Sequence, residues 1–345
     1  MKADKYYEEA YRLHCTYPVA DSHYDLPVEL MYRRNMGEKK IIKTEYLPVW
    51  KRAGINFLIL SVFVENEYVP ELSLKVALKQ IGAVKREIEE SEGEVVLITN
   101  KDSLHHVTVN KDKVGVLLFL EGLECLTGDL ELPELFYDLG VRGAALCWSR
   151  RNPFATGSAT ASSTLQQEGK ITDKGWDVIS QMKKMGMFLD VSHLNDDGIN
   201  ELLDSDVFNT SFFPVATHSN ARAIYHSYRN LTDKQLVNIG KLRGYVGLNS
   251  NIYLVGAKGW EKLYLHLEYM LFMVGKRNIG MGMDLYDNCN RYMRNVARLK
   301  KEDVIAGHDK WLEWTAFLLR KGMEKDVVTG IMGRNLIETL SVMLA

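Results

Sequence analysis

The chain has 345 residues, of which 46% are hydrophobic and 26% charged, a composition that indicates a folded globular protein and excludes a disordered one. Its 43 basic and 45 acidic residues leave a net charge of -2, which gives no electrostatic reason to expect binding to nucleic acid or to an anionic membrane. The length is that of an enzyme with one large core or two ordinary ones.

The first residues are charged where a signal peptide would need an apolar run, and the most apolar window, 55–64, is well short of the roughly 20 residues of a transmembrane helix. The cysteines Cys15, Cys125, Cys147 and Cys289 form no Cys-x-x-Cys pair, so we expect each of them to be a small buried apolar residue. These features predict a cytoplasmic protein without a disulfide framework.

Short apolar runs rich in β-branched residues alternate along the chain with longer segments of helical period. The predicted strands are 18–21, 57–64, 95–99, 114–120, 144–148, 187–191, 215–217, 245–249 and 279–282. The predicted helices include 173–185, with apolar residues at spacings of three, a helix opened by the capping-box pattern at 232–235, and the C-terminal segments 309–320 and 325–344. The small-residue stretch 155–164 predicts a loop.

This alternation predicts a single (β/α)8 barrel, a TIM barrel, formed by residues 1–345 as one domain with C-terminal helices. There is one strand candidate too many, and we expect 95–99 to lie outside the barrel because a stronger apolar run follows it closely. The alternative fold is a doubly wound open sheet, but no Gly-x-Gly-x-x-Gly or Gly-x-x-x-x-Gly-Lys loop follows the first strand.

Imidazoles and carboxylates follow the ends of several predicted strands, where barrel enzymes keep their chemistry. In chain order they are His23, Asp25, Glu121, His193, His218 and Asp284. Burying such groups together in a barrel mouth costs free energy unless a positive charge compensates them. Two divalent metal ions would do so, with Zn²⁺ the first choice for this ligand set and Mn²⁺, Co²⁺ or Fe²⁺ as alternatives.

The remaining histidines lie in helical or loop-like stretches of the sequence. They are His14, His105, His106, His226, His266 and His308, and we expect all of them at the surface.

Six short motifs follow one another along residues 18–340. They are Asp-x-His-x-Asp-Leu-Pro at 21–27, Leu-Glu-Gly at 120–122, Leu-Asp-Val-Ser-His-Leu at 189–194, Thr-His-Ser-Asn-Ala-Arg at 217–222, Arg-Asn-Leu-Thr-Asp at 229–233 and Gly-x-Gly-x-Asp at 280–284. Together they resemble the membrane dipeptidase (renal dipeptidase-like, peptidase M19) family of binuclear zinc enzymes within the amidohydrolase-like group. The resemblance implies a (β/α)8 metallo-dipeptidase that cleaves L–L and also L–D dipeptides with a metal-bridging hydroxide.

The resemblance also implies the metal ligands. His23 and Asp25 would bind the first metal, His193 and His218 the second, and Glu121 would bridge both.

Substrate and proton transfer are assigned by the same resemblance. Arg229 would hold the free carboxylate of the dipeptide, which suits its bidentate guanidinium, and Asp284 would exchange protons with the nucleophile and the leaving amine. Glu121 and Asp284 are thus the predicted catalytic residues. The habit of the family suggests a homodimer.

The chain departs from the family pattern at two places. Trp148, a predicted substrate contact, stands where many members have a histidine, and an indole donates only through Nε1–H and does not titrate. The loop Trp-Ser-Arg-Arg-Asn-Pro at 148–153 resembles the loop of family members that also have a tryptophan at this place. The last strand is followed by Met-Asp-Leu at 283–285, where the family commonly has Ser-Asp-Phe. Two alternatives therefore stay open, a binuclear-metal amidohydrolase acting on another small amide or cyclic amide, and a non-catalytic binding protein.

Overall fold

The computed structural model describes residues 4–159, 167–285 and 304–344. The strands are β1 Ala20–Tyr24, β2 Phe57–Val62, β3 Val95–Leu97, β4 Val114–Glu121, β5 Val141–Ala145, β6 Phe188–Asp190, β7 Pro214–Ser219, β8 Tyr245–Leu248 and β9 Ile279–Met281. All of the pairings between these strands are parallel, in the order β1-β2-β4-β5-β6-β7-β8-β9.

The sheet curves round so that its last strand meets its first. The Asp25 amide donates to Leu285 O at 3.1 Å, and the Asp284 amide donates to His23 O at 3.3 Å. The strands therefore form a nearly closed barrel, and the predicted (β/α)8 fold is confirmed. As predicted, β3 stays outside the ring and pairs only with β4.

Helices connect and cover the strands. The α-helices in the described residues are Lys5–Thr16, Leu26–Asn35, Leu47–Ala53, Ser73–Glu90, Lys101–Val109, Leu132–Asp138, Asp173–Met185, Asp196–Leu203, Asp233–Lys241, Ile252–Val255, Trp260–Val274, Trp311–Arg320, Lys325–Thr329 and Asn335–Met343. No helix in this part of the chain is both long and apolar enough to cross a bilayer.

The helix predictions are confirmed with small differences. Asp173–Met185 has the predicted bounds, with Thr172 as its side-chain N-cap. Thr232 and Gln235 form the predicted reciprocal capping box. The C-terminal segment is interrupted by a π-helical turn at Gly330–Arg334. Of the predicted loop, residues 155–159 lie outside helices and strands, and residues 160–164 lie outside the described part of the chain.

The barrel strands read as continuous apolar runs because helices cover one face and the barrel interior the other. All residues of β2 and β4 are buried. The interior is filled by large rings, among them Phe119 and Phe188, whose centroids lie 5.5 Å apart in a stacked arrangement. Gly143 of β5 makes room for them, since a Cβ there would lie 2.2 Å from the Phe188 ring. This packed layer forms the floor beneath the mouth.

Three histidines predicted at the surface are buried, so this prediction is wrong for His14, His266 and His308. Each has a hydrogen-bond partner in another segment of the chain. His14 Nδ1 lies 2.6 Å from Ala53 O, His266 Nε2 lies 3.1 Å from Val255 O, and His308 Nε2 lies 2.9 Å from Asp21 Oδ2. His105, His106 and His226 are exposed, as predicted.

The cysteine prediction is also wrong at one position. Cys125 and Cys147 are buried as expected, whereas Cys15 is exposed on the first helix. Cys289 lies outside the described residues.

Candidate active site

The predicted site residues meet at the carboxyl end of the barrel. His23 and His218 lie inside β1 and β7, and Glu121 is the last residue of β4. Asp25, His193 and Asp284 follow β1, β6 and β9 within three residues. Parallel strands present these ends at the same rim, so residues far apart in sequence come together.

One carboxylate oxygen of Glu121 lies among three imidazoles. Its Oε1 is 2.7 Å from His193 Nε2 and 3.6 Å from the Nε2 atoms of both His23 and His218. His193 Nε2 and His218 Nε2 are 2.9 Å apart, and His23 Nε2 is 3.5 Å from Asp25 Oδ1. The ring nitrogens that face one another across the cluster are thus Nε2 atoms.

The donor set fits divalent metal ions. His23 Nε2 is fully buried and has no hydrogen-bond partner among the residues that the structure describes, although it faces the carboxylates of Asp25 and Glu121. Within the described ranges, two groups have ligand atoms that lie within 4.8 Å of one another. They are His23 with Glu121 and His218, and His23 with Asp25 and Asp284. A cation would satisfy these nitrogen lone pairs and carboxylate oxygens together. Since His23 belongs to both groups, the predicted division of the ligands between the metals stays a prediction.

The protonation of the carboxyl groups reflects the same crowding. Burial raises the pKa of Glu121 to about 7, and the nearby charge of His23 only partly offsets this rise. Burial and the charge of Asp25 raise the pKa of Asp284 to about 6. Without a cation, negative charge at this rim is therefore costly.

The imidazoles differ from one another. Burial and the neighbouring charges of Arg229 and His23 hold the pKa of His193 well below its ordinary value, and His218 behaves likewise. Burial is the largest influence on His23 and would lower its pKa, but the charges and hydrogen bonds of Glu121 and Asp25 together outweigh burial and raise this pKa. His193 and His218 are therefore neutral at pH 7, the state in which imidazole binds metals.

Arg229 lies beside the cluster with unused hydrogen-bonding capacity. Its side chain is only 5% exposed, and Nη1 has no hydrogen-bond partner among the described residues. Nη2 makes only long contacts, 3.4 Å to His193 Nε2 and 3.4 Å to His218 O. Burial lowers its pKa, but a guanidinium remains charged at neutral pH. A buried guanidinium without close hydrogen-bond partners among the described residues can donate to an anionic group without breaking existing bonds.

Asp284 is held in an unusual backbone conformation. Its φ of 59° lies in the left-handed region, which costs a non-glycine residue free energy. Asn249 Nδ2 donates to Asp284 Oδ2 at 3.0 Å, and Asn220 Nδ2 in turn donates to Asn249 O at 2.9 Å. The bond from Asn249 fixes Asp284 Oδ2, and the bond from Asn220 holds Asn249 in place. Neither bond involves Asp284 Oδ1.

Trp148 forms an aromatic wall of the site. Its indole stacks on the His193 ring at 5.6 Å between centroids and contacts Phe63 at 5.1 Å. The Arg150 guanidinium carbon lies 5.1 Å from the Trp148 ring, and Glu124 Oε1 accepts from Arg150 Nε at 3.0 Å. Trp148 therefore lies against a predicted metal ligand, where a titrating histidine is common in the family.

The sequence analysis missed a second layer of residues behind the ligands. Asp21 Oδ1 accepts from the His23 and Met283 amides at 3.2 and 3.0 Å. Asp190 of β6 and Thr217 of β7 also belong to this layer, and the Thr217 hydroxyl donates to Asp190 Oδ2. A signal was present, since an aspartate stands two residues before His23 and three before His193.

A parallel (β/α)8 barrel with imidazoles, carboxylates and a buried guanidinium at its mouth defines a metal-dependent barrel hydrolase. The chain belongs to the membrane dipeptidase family, peptidase family M19, whose model matches residues 7–343. It is accordingly a metallo-dipeptidase, a hydrolase acting on peptide bonds.

Individual relatives agree with this membership over most of the chain. Dipeptidase aclJ of Aspergillus oryzae is 24% identical over 94% of this chain and 77% of its own length, and an uncharacterized dipeptidase of Schizosaccharomyces pombe is 25% identical over 93% and 80%. The crystal structure of dipeptidase AC, a metallopeptidase of family M19, is similar with a TM-score of 0.82 and 25% identity, covering 95% of this chain and 99% of the other. A metallopeptidase from Rhodobacter sphaeroides, solved with a phosphinate mimic of L-Ala-D-Ala, shares the fold with a TM-score of 0.82 and 24% identity over the same shares of both chains.

Proposed function

We propose that this dipeptidase uses two divalent metal ions, with Zn²⁺ as the native metal, bound by His23, Asp25, Glu121, His193 and His218. The observation that carries this proposal is the single oxygen of Glu121 surrounded by three imidazole Nε2 atoms at 2.7 to 3.6 Å. A carboxylate so placed suits a bridging ligand. The neutral state of His193 and His218 at pH 7 supports the same assignment.

The substrate we propose is a free dipeptide, of the L–L or L–D type. Arg229 supports this choice, because its buried guanidinium has no close partner within residues 4–159, 167–285 and 304–344 and would bind the terminal carboxylate of a dipeptide. The Rhodobacter relative was crystallised with a mimic of a dipeptide whose carboxyl-terminal residue is D-alanine. That observation supports testing D-residues at the same position here.

In the mechanism we propose, the metals supply Lewis acidity and an acidified water. Arg229 binds the substrate carboxylate and so fixes the distance between the scissile bond and the metal ligands. Asp284, held at Oδ2 by Asn249, takes up a proton at its other oxygen and returns it to the leaving amine. Trp148 cannot take part in proton transfer. It excludes water and holds the ring plane of His193.

The test is metal removal followed by reconstitution. The protein is stripped with a chelator, its metal content is measured, and hydrolysis of an L–L and L–D dipeptide panel is followed after addition of Zn²⁺, Mn²⁺ or Co²⁺. We expect no activity without metal and recovery at two equivalents. Full activity at negligible metal content would refute the proposal.

The variant Asp284→Asn separates the metal site from the proton-transfer step. We expect it to bind two metals like the wild type and to lose activity by about 10²–10⁴-fold, the usual contribution of a general acid–base group. Loss of metal from this variant would instead place Asp284 among the ligands.

A further inference from the structure

Thr217 lies between two of the histidines at the mouth. Its Oγ1 is 3.1 Å from His23 Nδ1 and 2.8 Å from His218 Nδ1. The same oxygen donates to Asp190 Oδ2 at 2.5 Å. Thr217 and Asp190 are both completely buried, so water does not compete for these bonds.

The direction of each bond follows from the number of protons. Asp190 accepts from the backbone amides of Ser192 and Thr217 at 2.9 and 3.0 Å, and from Ser192 Oγ at 2.6 Å. Asp190 is the acceptor in each of these bonds, and the Thr217 hydroxyl likewise gives its single proton to Asp190 Oδ2. The hydroxyl oxygen then has two lone pairs left, one for each histidine.

Both imidazoles must therefore donate from Nδ1 to Thr217. A neutral imidazole that carries its proton on Nδ1 has its lone pair on Nε2. The Nε2 atoms of His23 and His218 both face Glu121 Oε1 at 3.6 Å, on the side of the proposed metals. One hydroxyl group thus sets the direction of two rings, and it sets the tautomer of each of them that is neutral.

We propose that Thr217, supported by Asp190, is a positioning residue that prepares one ligand of each metal and so couples the two metal subsites. The inference rests on the proposed assignment of His23 and His218 to different metals. Ser149 provides a contrast, since its Oγ lies 3.0 Å from His193 Nδ1 and serves that single ring. Outer partners of metal-binding histidines commonly contribute about 10- to 100-fold to metal affinity.

The experiment compares Thr217→Val, which removes the hydroxyl at nearly constant volume, with Thr217→Ser, which keeps it, and with Ser149→Ala. Zn²⁺ affinity is measured for each of the two equivalents by competition with a chelator. We expect Thr217→Val to weaken both equivalents by about 10- to 100-fold. Thr217→Ser should stay within a few-fold of the wild type, and Ser149→Ala should weaken one equivalent only.

A second measurement uses metal-free protein. The ring ¹⁵N shifts of His218 report its tautomer, and we expect the Nδ1–H form in the wild type and a mixture in Thr217→Val. The His193 signals should change only in Ser149→Ala. If Thr217→Val does not fold, Asp190→Asn is measured in place of that variant. The new amide can donate to Thr217 Oγ1, so that the hydroxyl proton of Thr217 turns towards a histidine.

The outcomes are distinct. Unchanged affinity for both equivalents in Thr217→Val, or loss of one equivalent as in Ser149→Ala, would overturn the coupling. An unchanged His218 tautomer in the metal-free variant would overturn the positioning role. A wild-type protein that binds no metal would refute the proposed function, while the ring shifts would still decide whether Thr217 sets the tautomer.

Discussion

Replacing Arg229 by methionine should remove the preference of the enzyme for substrates with a free carboxylate. Because Nη1 has no partner in the described part of the chain and the contacts of Nη2 are 3.4 Å long, a bound carboxylate would receive two hydrogen bonds at little cost to existing ones. At about 1.5–3 kcal/mol for each bond to a charged group, the loss is about 3–6 kcal/mol. Since 1.4 kcal/mol is a factor of about ten, kcat/KM should fall at least about 100-fold.

The assay compares a dipeptide with the same dipeptide carrying a carboxyl-terminal amide. The amide should be a poor substrate for the wild type, and Arg229→Met should change its kcat/KM by no more than a few-fold. Arg222→Met is the matched control, because the Arg222 guanidinium is already paired with Asp196 at 2.7 and 2.8 Å. This variant should not alter the preference for the dipeptide over its amide. An unchanged kcat/KM for the dipeptide in Arg229→Met would refute the reasoning and favour a small amide without a carboxylate as the substrate.

Two further predictions concern stability. The pKa of Asp284 is raised from 3.8 to about 6, so between these values its carboxyl group binds more protons in the metal-free folded protein than in the unfolded chain. The contribution of Asp284 to the free energy of unfolding should therefore fall as pH rises through this window. Relative to the wild type, Asp284→Asn should gain roughly 2–3 kcal/mol from pH 4 to pH 7 in urea unfolding. A flat difference between the two proteins would show that Asp284 titrates normally. Gly122→Ala should cost more than about 2 kcal/mol, because φ is 101° and the new Cβ would lie 2.0 Å from Glu124 Oε2. Gly93→Ala, with φ 87° and nothing within 4 Å, is its control and should cost only about 1 kcal/mol; equal losses would contradict the crowding argument.

The barrel could be predicted from the sequence because its strands are buried on both faces. Apolar runs such as β2 and β4 are visible without knowledge of their neighbours. The bounds of β1 were less accurate, since this strand was predicted at 18–21 and lies at Ala20–Tyr24. Its Asp21, Ser22 and His23 are polar residues inside a strand. These polar side chains are tolerated because they form hydrogen bonds with groups on other strands. Ser22 Oγ, for example, donates to Thr217 O at 2.6 Å.

The first layer of the site was accessible for a similar reason, since polar residues that follow apolar runs are conspicuous. The layer behind it was not. His308 lies 287 residues from its partner Asp21, and no local pattern connects them. The sequence predicts only that Thr217 ends a strand. The role of Thr217 becomes apparent from the contacts of its hydroxyl with two imidazoles on different strands. Such roles depend on distances between strands, which periodicity does not contain.

The short strand β3 extends the pairing of β4 along one of its edges. It hydrogen-bonds to the first half of β4, at residues 114–116, while β5 occupies the second half of the same edge, at residues 118–121. Staggered barrel strands would otherwise leave the backbone donors and acceptors of that first half open to another chain. The three residues of β3 therefore provide backbone partners along the part of the β4 edge that β5 does not reach.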